Sequence, residues 1–170
     1  YEFTTKKPEV GIYSYKGVKL QVIEIPSIFE NFEESELGPT LIAIIKQSDL
    51  IILFFKNPKE KMLLDKELGK AEIKIPTLIY NDQENIGDEI WKRLNLVKVQ
   101  TKTPGKKPDY PPVSLRKGAI IKDLAEHVHK DFIKKFKFAR VWGKSVKYQG
   151  MRCGLTHKLT DDDIVELHLK

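Results

Sequence analysis

The sequence of this 170-residue chain has one cysteine, two methionines and no apolar run longer than a strand. A lone Cys153 excludes a disulfide framework and any multi-cysteine metal site, and it points to a reducing compartment in which the thiol is inert. The longest apolar run, residues 50–55, falls far short of the ~20 residues of a membrane-spanning helix. No signal-peptide pattern opens the chain. A soluble, cytoplasmic protein with no membrane partner is the expectation. A G-x-x-x-x-G-K-[ST] loop is also missing, so these residues supply no glycine-rich nest and lysine for the phosphates of a nucleotide. His127 and His129 lie two apart and would point to different sides of a helix, which excludes an i, i+4 metal pair. They read as surface or packing residues, like His157 and His168. Asp161, Asp162 and Asp163 lack the spaced ligands of a calcium loop and read as a turn.

Against these absences stand 41% hydrophobic residues, enough for a core, and a net charge of +6. The charge is uneven. Residues 1–97 hold 13 Lys and Arg against 16 Asp and Glu, whereas residues 98–170 hold 17 against 8. A basic second part suits a polyanionic partner such as RNA or the ribosome, or an acidic partner protein, because each neutralised phosphate releases counterions. The alternative is a solvated lysine-rich face.

Along the chain, residues 10–15 and 19–25 alternate around Lys16-Gly17 as a hairpin. Residues 28–36 are acidic and irregular, anchored by Phe29 and Phe32. Gly38-Pro39 opens a helix with Leu41, Ile42 and Ile45 inward. Residues 50–55 and 73–80 read as strands buried on both faces of a parallel sheet, with a helix at 59–68 between them and an amphipathic helix at 88–94 after them. This order implies an α/β layer. The polar, proline-rich stretch 98–112 reads as a linker, which places the domains at 1–97 and 113–170. Beyond it come a strand, a helix with Ile121, Leu124, Ala125, Val128 and Phe132 on one stripe, short strands at 138–142 and 146–148, and a closing strand at 164–169. That order fits a small α+β module of the β-grasp, ubiquitin-like type.

The cations Lys122, Lys130, Lys134, Lys135, Lys137, Arg140, Lys144, Lys147 and Arg152 accompany Phe136, Phe138, Trp142 and Tyr148. Such a set could clamp phosphates and stack bases. Phe138 and Trp142 read equally as core, the reading favoured here.

Taken together, Phe3-Thr4-Thr5, the hairpin ending in Glu24-Ile25-Pro26, the 49–53 strand, Pro108-Asp109-Tyr110, and above all residues 138–147 and 154–165 resemble the DRG branch of the Obg-type GTPases. The tail is similar to their TGS domain. The resemblance implies a partial P-loop-GTPase-like α/β layer followed by a TGS module, a role around ribosomes or translation, and GTP with Mg²⁺ as ligands. It places Thr5, ahead of Thr4, as the Mg²⁺ ligand, with Glu24 acting on the same ion from the family's Asp-x-x-Gly position. Ser27 falls at the glycine of that motif, where its Cβ hinders close approach to the γ-phosphate. Asn81 and Glu84 match base-reading positions, but Asp82 replaces the family's lysine. The family's inserted domain is missing. The absent phosphate loop is open to two readings, truncation upstream of Phe3 or decay, as is the choice between a GTPase and a non-catalytic RNA- or protein-binding remnant.

Overall fold

The computed structural model describes residues 7–80 and 85–170. They form two compact units, one of residues 7–13, 20–80 and 85–94, the other of residues 14–19 and 95–170.

The expected hairpin forms from β1 (Glu9–Tyr15) and β2 (Val18–Glu24), turned by Lys16 and Gly17, both at positive φ; its tip, residues 14–19, is counted with the second unit and the rest with the first. Phe32 is buried in a one-turn 3-10 helix (Phe32–Glu34), whereas Phe29, expected as a second anchor, is exposed. Helix α1 (Gly38–Gln47) starts on Pro39 and buries Leu41 and Ile45. Strand β3 (Ile51–Leu53) leads to α2 (Pro58–Lys70), where the Asn57 side chain accepts the Glu60 N–H at 3.0 Å and caps the first turn. Strand β4 (Thr77–Ile79) pairs parallel to β3, and α3 (Ile86–Leu94) buries Ile90 and Trp91.

The expectation of strands buried on both faces fails. Among the described residues this sheet has two strands, and Phe54 and Ile79 stay exposed beside buried Leu53 and Leu78. The core of this unit gathers Ile45, Leu53 and Leu68 with Ile25, Ile28, Ile51, Leu64 and Ile73.

The boundary between the units differs from the expected one. Asn95, at φ 53, ends α3 in the left-handed conformation, and the chain enters β5 (Leu96–Lys102) at once. Residues 98–102, expected as linker, are sheet. The Gly- and Pro-rich segment after them is the loop of a hairpin, closed by Asp109 N–H to Thr101 C=O at 2.8 Å, that leads into β6 (Val113–Arg116). Helix α4 (Ile121–Val128) follows, with the Asp123 carboxylate accepting the Ile120 N–H at 2.8 Å. It stops short of the expected 132. His129 turns extended (φ −165), and a short α5 (Phe132–Lys135) leads into β7 (Phe136–Trp142).

The partner of β7 is β8 (Met151–Cys153), not 146–148. The Gln149 side chain bonds both Gly143 N–H (2.9 Å) and Gly143 C=O (3.2 Å), so the turn takes in the residues expected as a strand. Strand β9 (Asp163–Leu169) closes the sheet.

The strand order is β6-β5-β9-β7-β8, with the first and last strands, β5 and β9, parallel at the centre. That arrangement, with one helix across one face, is the β-grasp fold. Val97, Val99, Ala139, Val141 and Val165 point to the helix face and meet Ile121 and Leu124, each buried. Cys153 joins this core. Burial, and next the charge of Asp163, push its thiol above the ordinary range, in keeping with an inert thiol.

Candidate nucleic-acid interface

Because side chains alternate along a strand, residues between the core positions must stand on the other face of the five-stranded sheet. The register puts Lys102 of β5, Glu166 of β9, Arg140 of β7 and Arg152 of β8 side by side in one row. Phe138 lies opposite His168 on one side of that row, and Trp142 opposite Ile164 on the other. Lys98, Ser114 and Arg116 extend the polar face toward the β6 edge.

Glu166 is the one carboxylate in the row, only 5% exposed. His168 Nε2 lies 2.7 Å and Lys102 Nζ 3.3 Å from its two oxygens. Burial alone would raise its pKa, but these two partners hold the carboxyl below its usual range. The rings are covered as well. His168 stacks on Phe138 with centroids 4.3 Å apart, the Arg152 guanidinium carbon sits 4.3 Å from the same ring, and Lys102 Nζ lies 4.3 Å from the Trp142 ring. Phe138 and Trp142, read from sequence as core, are half-buried on the open face and serve as platforms for cations.

The expected basic cluster divides. Arg140 belongs to the open face. Lys122 lies on α4, across the sheet from it, with Lys130 between the two helices and Lys134 and Lys135 on α5. Lys137 sits at the register shift of β7, and Lys144 and Lys147 lie in the loop after it. All eight are exposed, and Lys134 is 3.8 Å from Asp131. They do not form one patch. Lys98, Lys102 and Arg116 were missed because the linker reading took in Lys98 and Lys102 and left Arg116 without a facing strand. The signal was there in the alternation of Val97, Val99 and Thr101.

The three aspartates at the start of β9 hold the sheet together. Asp161 accepts the Lys98 N–H at 2.8 Å, and Asp162 pairs with Lys98 Nζ at 2.8 Å. Asp163, fully buried, accepts the Thr160 N–H (2.8 Å), the Thr160 hydroxyl (3.1 Å) and the Ser145 N–H (3.4 Å).

For the nucleotide candidates the picture is sparse. Thr4, Thr5, Asn81 and Glu84, together with Asp82, lie outside the described residues. Glu24 ends β2 and Ser27 follows in irregular chain, both exposed. Among the described residues no three His, Cys, Asp or Glu side chains are grouped to hold a metal ion. Of the six candidates, only Glu24 and Ser27 lie in the described part.

Helix α2 grips the loop that follows Ser27. Glu67, fully buried, accepts the Asn31 N–H at 2.8 Å and has Lys70 Nζ at 2.9 Å. Lys70 also donates to the Asn31 side-chain oxygen at 2.6 Å, and Lys66 pairs with Glu30 at 2.7 Å. The Lys70 ammonium lowers the Glu67 pKa against the upward push of burial, with the Asn31 N–H assisting.

No helix among the described residues is long and apolar enough to cross a membrane.

A β-grasp module with a basic open face, joined to an α/β unit, is the class these features define. Residues 97–169 match the TGS domain family, and residues 1–82 match the family described as 50S ribosome-binding GTPase. The relatives that this chain resembles are named GTP-binding proteins, several of them developmentally-regulated GTP-binding proteins.

An uncharacterized GTP-binding protein of Methanocaldococcus jannaschii is 37% identical over 133 residues, 78% of this chain and 33% of that protein. The chain thus spans about a third of that relative's length. Developmentally-regulated G-protein 1 of Arabidopsis thaliana is 22% identical over 273 residues, covering 98% of this chain and 68% of its own. An alignment of 273 residues against a chain of 170 leaves more than 100 positions of that relative without a counterpart here. Among solved structures, a GTP-binding protein from Pyrococcus horikoshii overlaps 78% of this chain and 35% of its own, with 22% identity and a TM-score of 0.42. The fold assignment rests on the strand order instead.

Proposed function

We propose that this chain serves translation in the cytoplasm, with its TGS domain docking on RNA of the ribosome and its α/β unit acting as a GTP-binding module of reduced form. The observation that carries the docking half is the opposed pair Arg140 and Arg152 on a sheet face whose only carboxylate in that row is already paired with Lys102 and His168. For the other half, the support is the match of residues 1–82 to a GTPase family. GTP with Mg²⁺ is the ligand proposed for this unit, and Thr4, Thr5, Glu24, Ser27, Asn81 and Glu84 are the residues offered to it. Thr5 and Glu24 are the ones offered to the metal. Bound Mg²⁺ would neutralise phosphate charge. Hydrolysis is not part of the proposal, since no phosphate loop occurs in these residues.

A second reading has a specific observation behind it. Three side chains of α2 hold Glu30 and Asn31, in the segment where a nucleotide switch would have to move. On that reading the α/β unit is a scaffold that binds no nucleotide, and the protein works through its TGS domain on RNA or an acidic protein.

Calorimetric titration with GTP and with GDP, each with Mg²⁺, separates the two. Micromolar binding supports the nucleotide module, and absence of heat with either leaves the scaffold. Cosedimentation with ribosomes that weakens as salt rises supports the docking half, and failure to bind either ribosomes or free RNA overturns it.

A further inference from the structure

We infer that the open face of the TGS sheet is a phosphate clamp for RNA, built on the opposed pair Arg140 and Arg152, and that the helix side of the domain is not the binding surface. This rests on the RNA-docking reading above and adds the face and the groups that touch the ligand.

Arg140 and Arg152 lie directly opposite each other on adjacent antiparallel strands, and both are exposed. Like charges at that spacing disfavour the pairing of the strands. Glu166, opposite Arg140 on β9, offers only partial relief. Neither arginine forms an ion pair among the described residues, and the nearby carboxylate of Glu166 is held by His168 and Lys102. An oxyanion placed between the two guanidinium groups would turn the repulsion into two attractions.

The geometry also prepares one of the two donors. Arg152 lies over the Phe138 ring, which His168 in turn flanks. Stacking uses the flat face of the guanidinium and leaves its in-plane N–H groups for a bidentate contact to phosphate oxygens. Lys102 is fixed by Trp142 and Glu166 at the other end of the row, which spans three strand spacings, about 14 Å. That length accommodates more than one phosphate of a nucleic-acid backbone.

RNA is favoured over an acidic protein because this face offers no large hydrophobic anchor. Phe138, Trp142 and Ile164 are each half-buried, and cations cover the two rings. Protein interfaces depend on such anchors in open pockets. The same covering argues against base stacking, so binding should be indifferent to base sequence.

The test is anisotropy of a fluorescently labelled RNA stem–loop titrated with the full chain at several salt concentrations, with circular dichroism to confirm folding. Arg140→Glu with Arg152→Glu should weaken binding at least about tenfold and lower the slope of log affinity against log salt by about two. Lys122→Glu, Lys134→Glu and Lys135→Glu together should stay within about twofold of the parent. Two milder variants guard against misfolding. Arg140→Gln should lower the slope by about one, and Phe138→Leu, which keeps every charge, should weaken binding by about threefold through loss of the platform.

If the parent binds RNA and the helix-side variant carries the loss, the face assignment is wrong while RNA docking stands. If the parent ignores RNA, both fall. If poly-glutamate binds as tightly and is lost with the same variants, the partner is an acidic protein and the phosphate clamp is refuted.

Discussion

Asp163 offers the sharpest test of how the TGS sheet is held. Its buried carboxylate accepts three donors at the junction of the 143–150 loop with β9, and Gly143 must be glycine because a Cβ there would run into that carboxylate. Removing the carboxylate in Asp163→Ala strands those donors. A hydrogen bond to a charged acceptor is worth about 1.5–3 kcal/mol, so the 2.8 Å bond from the Thr160 N–H contributes about 2 and the hydroxyl about 1, with little from Ser145 at 3.4 Å. The expected loss is about 3 kcal/mol. A unit this size has roughly 4–11 kcal/mol in total, so a large fraction is at stake.

Asp163→Asn keeps the shape and one acceptor and should cost about 1 kcal/mol. Gly143→Ala should be severe in the parent, both for the collision and for its φ of 145°. It should be milder in the Asp163→Ala background, where the carboxylate collision is gone and the backbone strain and a tight 3.0 Å approach to the residue-163 Cα remain. Urea denaturation followed by fluorescence of Trp142, the neighbour of Gly143, measures all four proteins. Asp163→Ala costing under about 1 kcal/mol, or Gly143→Ala costing the same in both backgrounds, would refute the reasoning.

Leu124→Ala, at a fully buried position beneath the sheet, should cost about 2–5 kcal/mol in the same assay, and a value near zero would mean that α4 is not packed as described. Glu67 and Glu166 both have folded-state pKa values below the ordinary range, so the stability they confer is complete above the unfolded value of about 4.3 and is lost as pH falls through the folded value. Melting temperature should therefore drop on acidification below about pH 4, and Glu67→Gln and Glu166→Gln should each flatten that dependence. Glu67→Ala should also speed hydrogen exchange at the Asn31 amide while leaving the Val99 amide unchanged, and equal protection in mutant and parent would show that α2 does not hold the loop.

Local features of the sequence carried far. The hairpin turn at Lys16-Gly17, the proline-started helix at Gly38 and the first part of the apolar stripe, Ile121, Leu124 and Ala125, each depend on neighbours within a few residues and formed where expected, whereas Val128 of that stripe is exposed and Phe132 falls on the next helix. The split in charge between the two parts needs only counting, and the motifs around residues 138–147 lie inside the stretch that matches the TGS domain family. The unit boundary was misread because proline and glycine in 103–112 mark a hairpin loop as strongly as a linker. Only the pairing of β5 with both β6 and β9 distinguishes them.

The sequence by itself determined the first hairpin, the approximate place of most helices and which half of the chain is basic, because propensity, periodicity and charge are local quantities. Tertiary structure alone decided that Lys102, Glu166, Arg140 and Arg152 stand in one row and that Lys122 stands across the sheet from it. A strand's alternation sorts its residues into two sets, but which sets share a face, and which residues meet, follows from the register between strands more than sixty residues apart in the chain, such as β5 and β9.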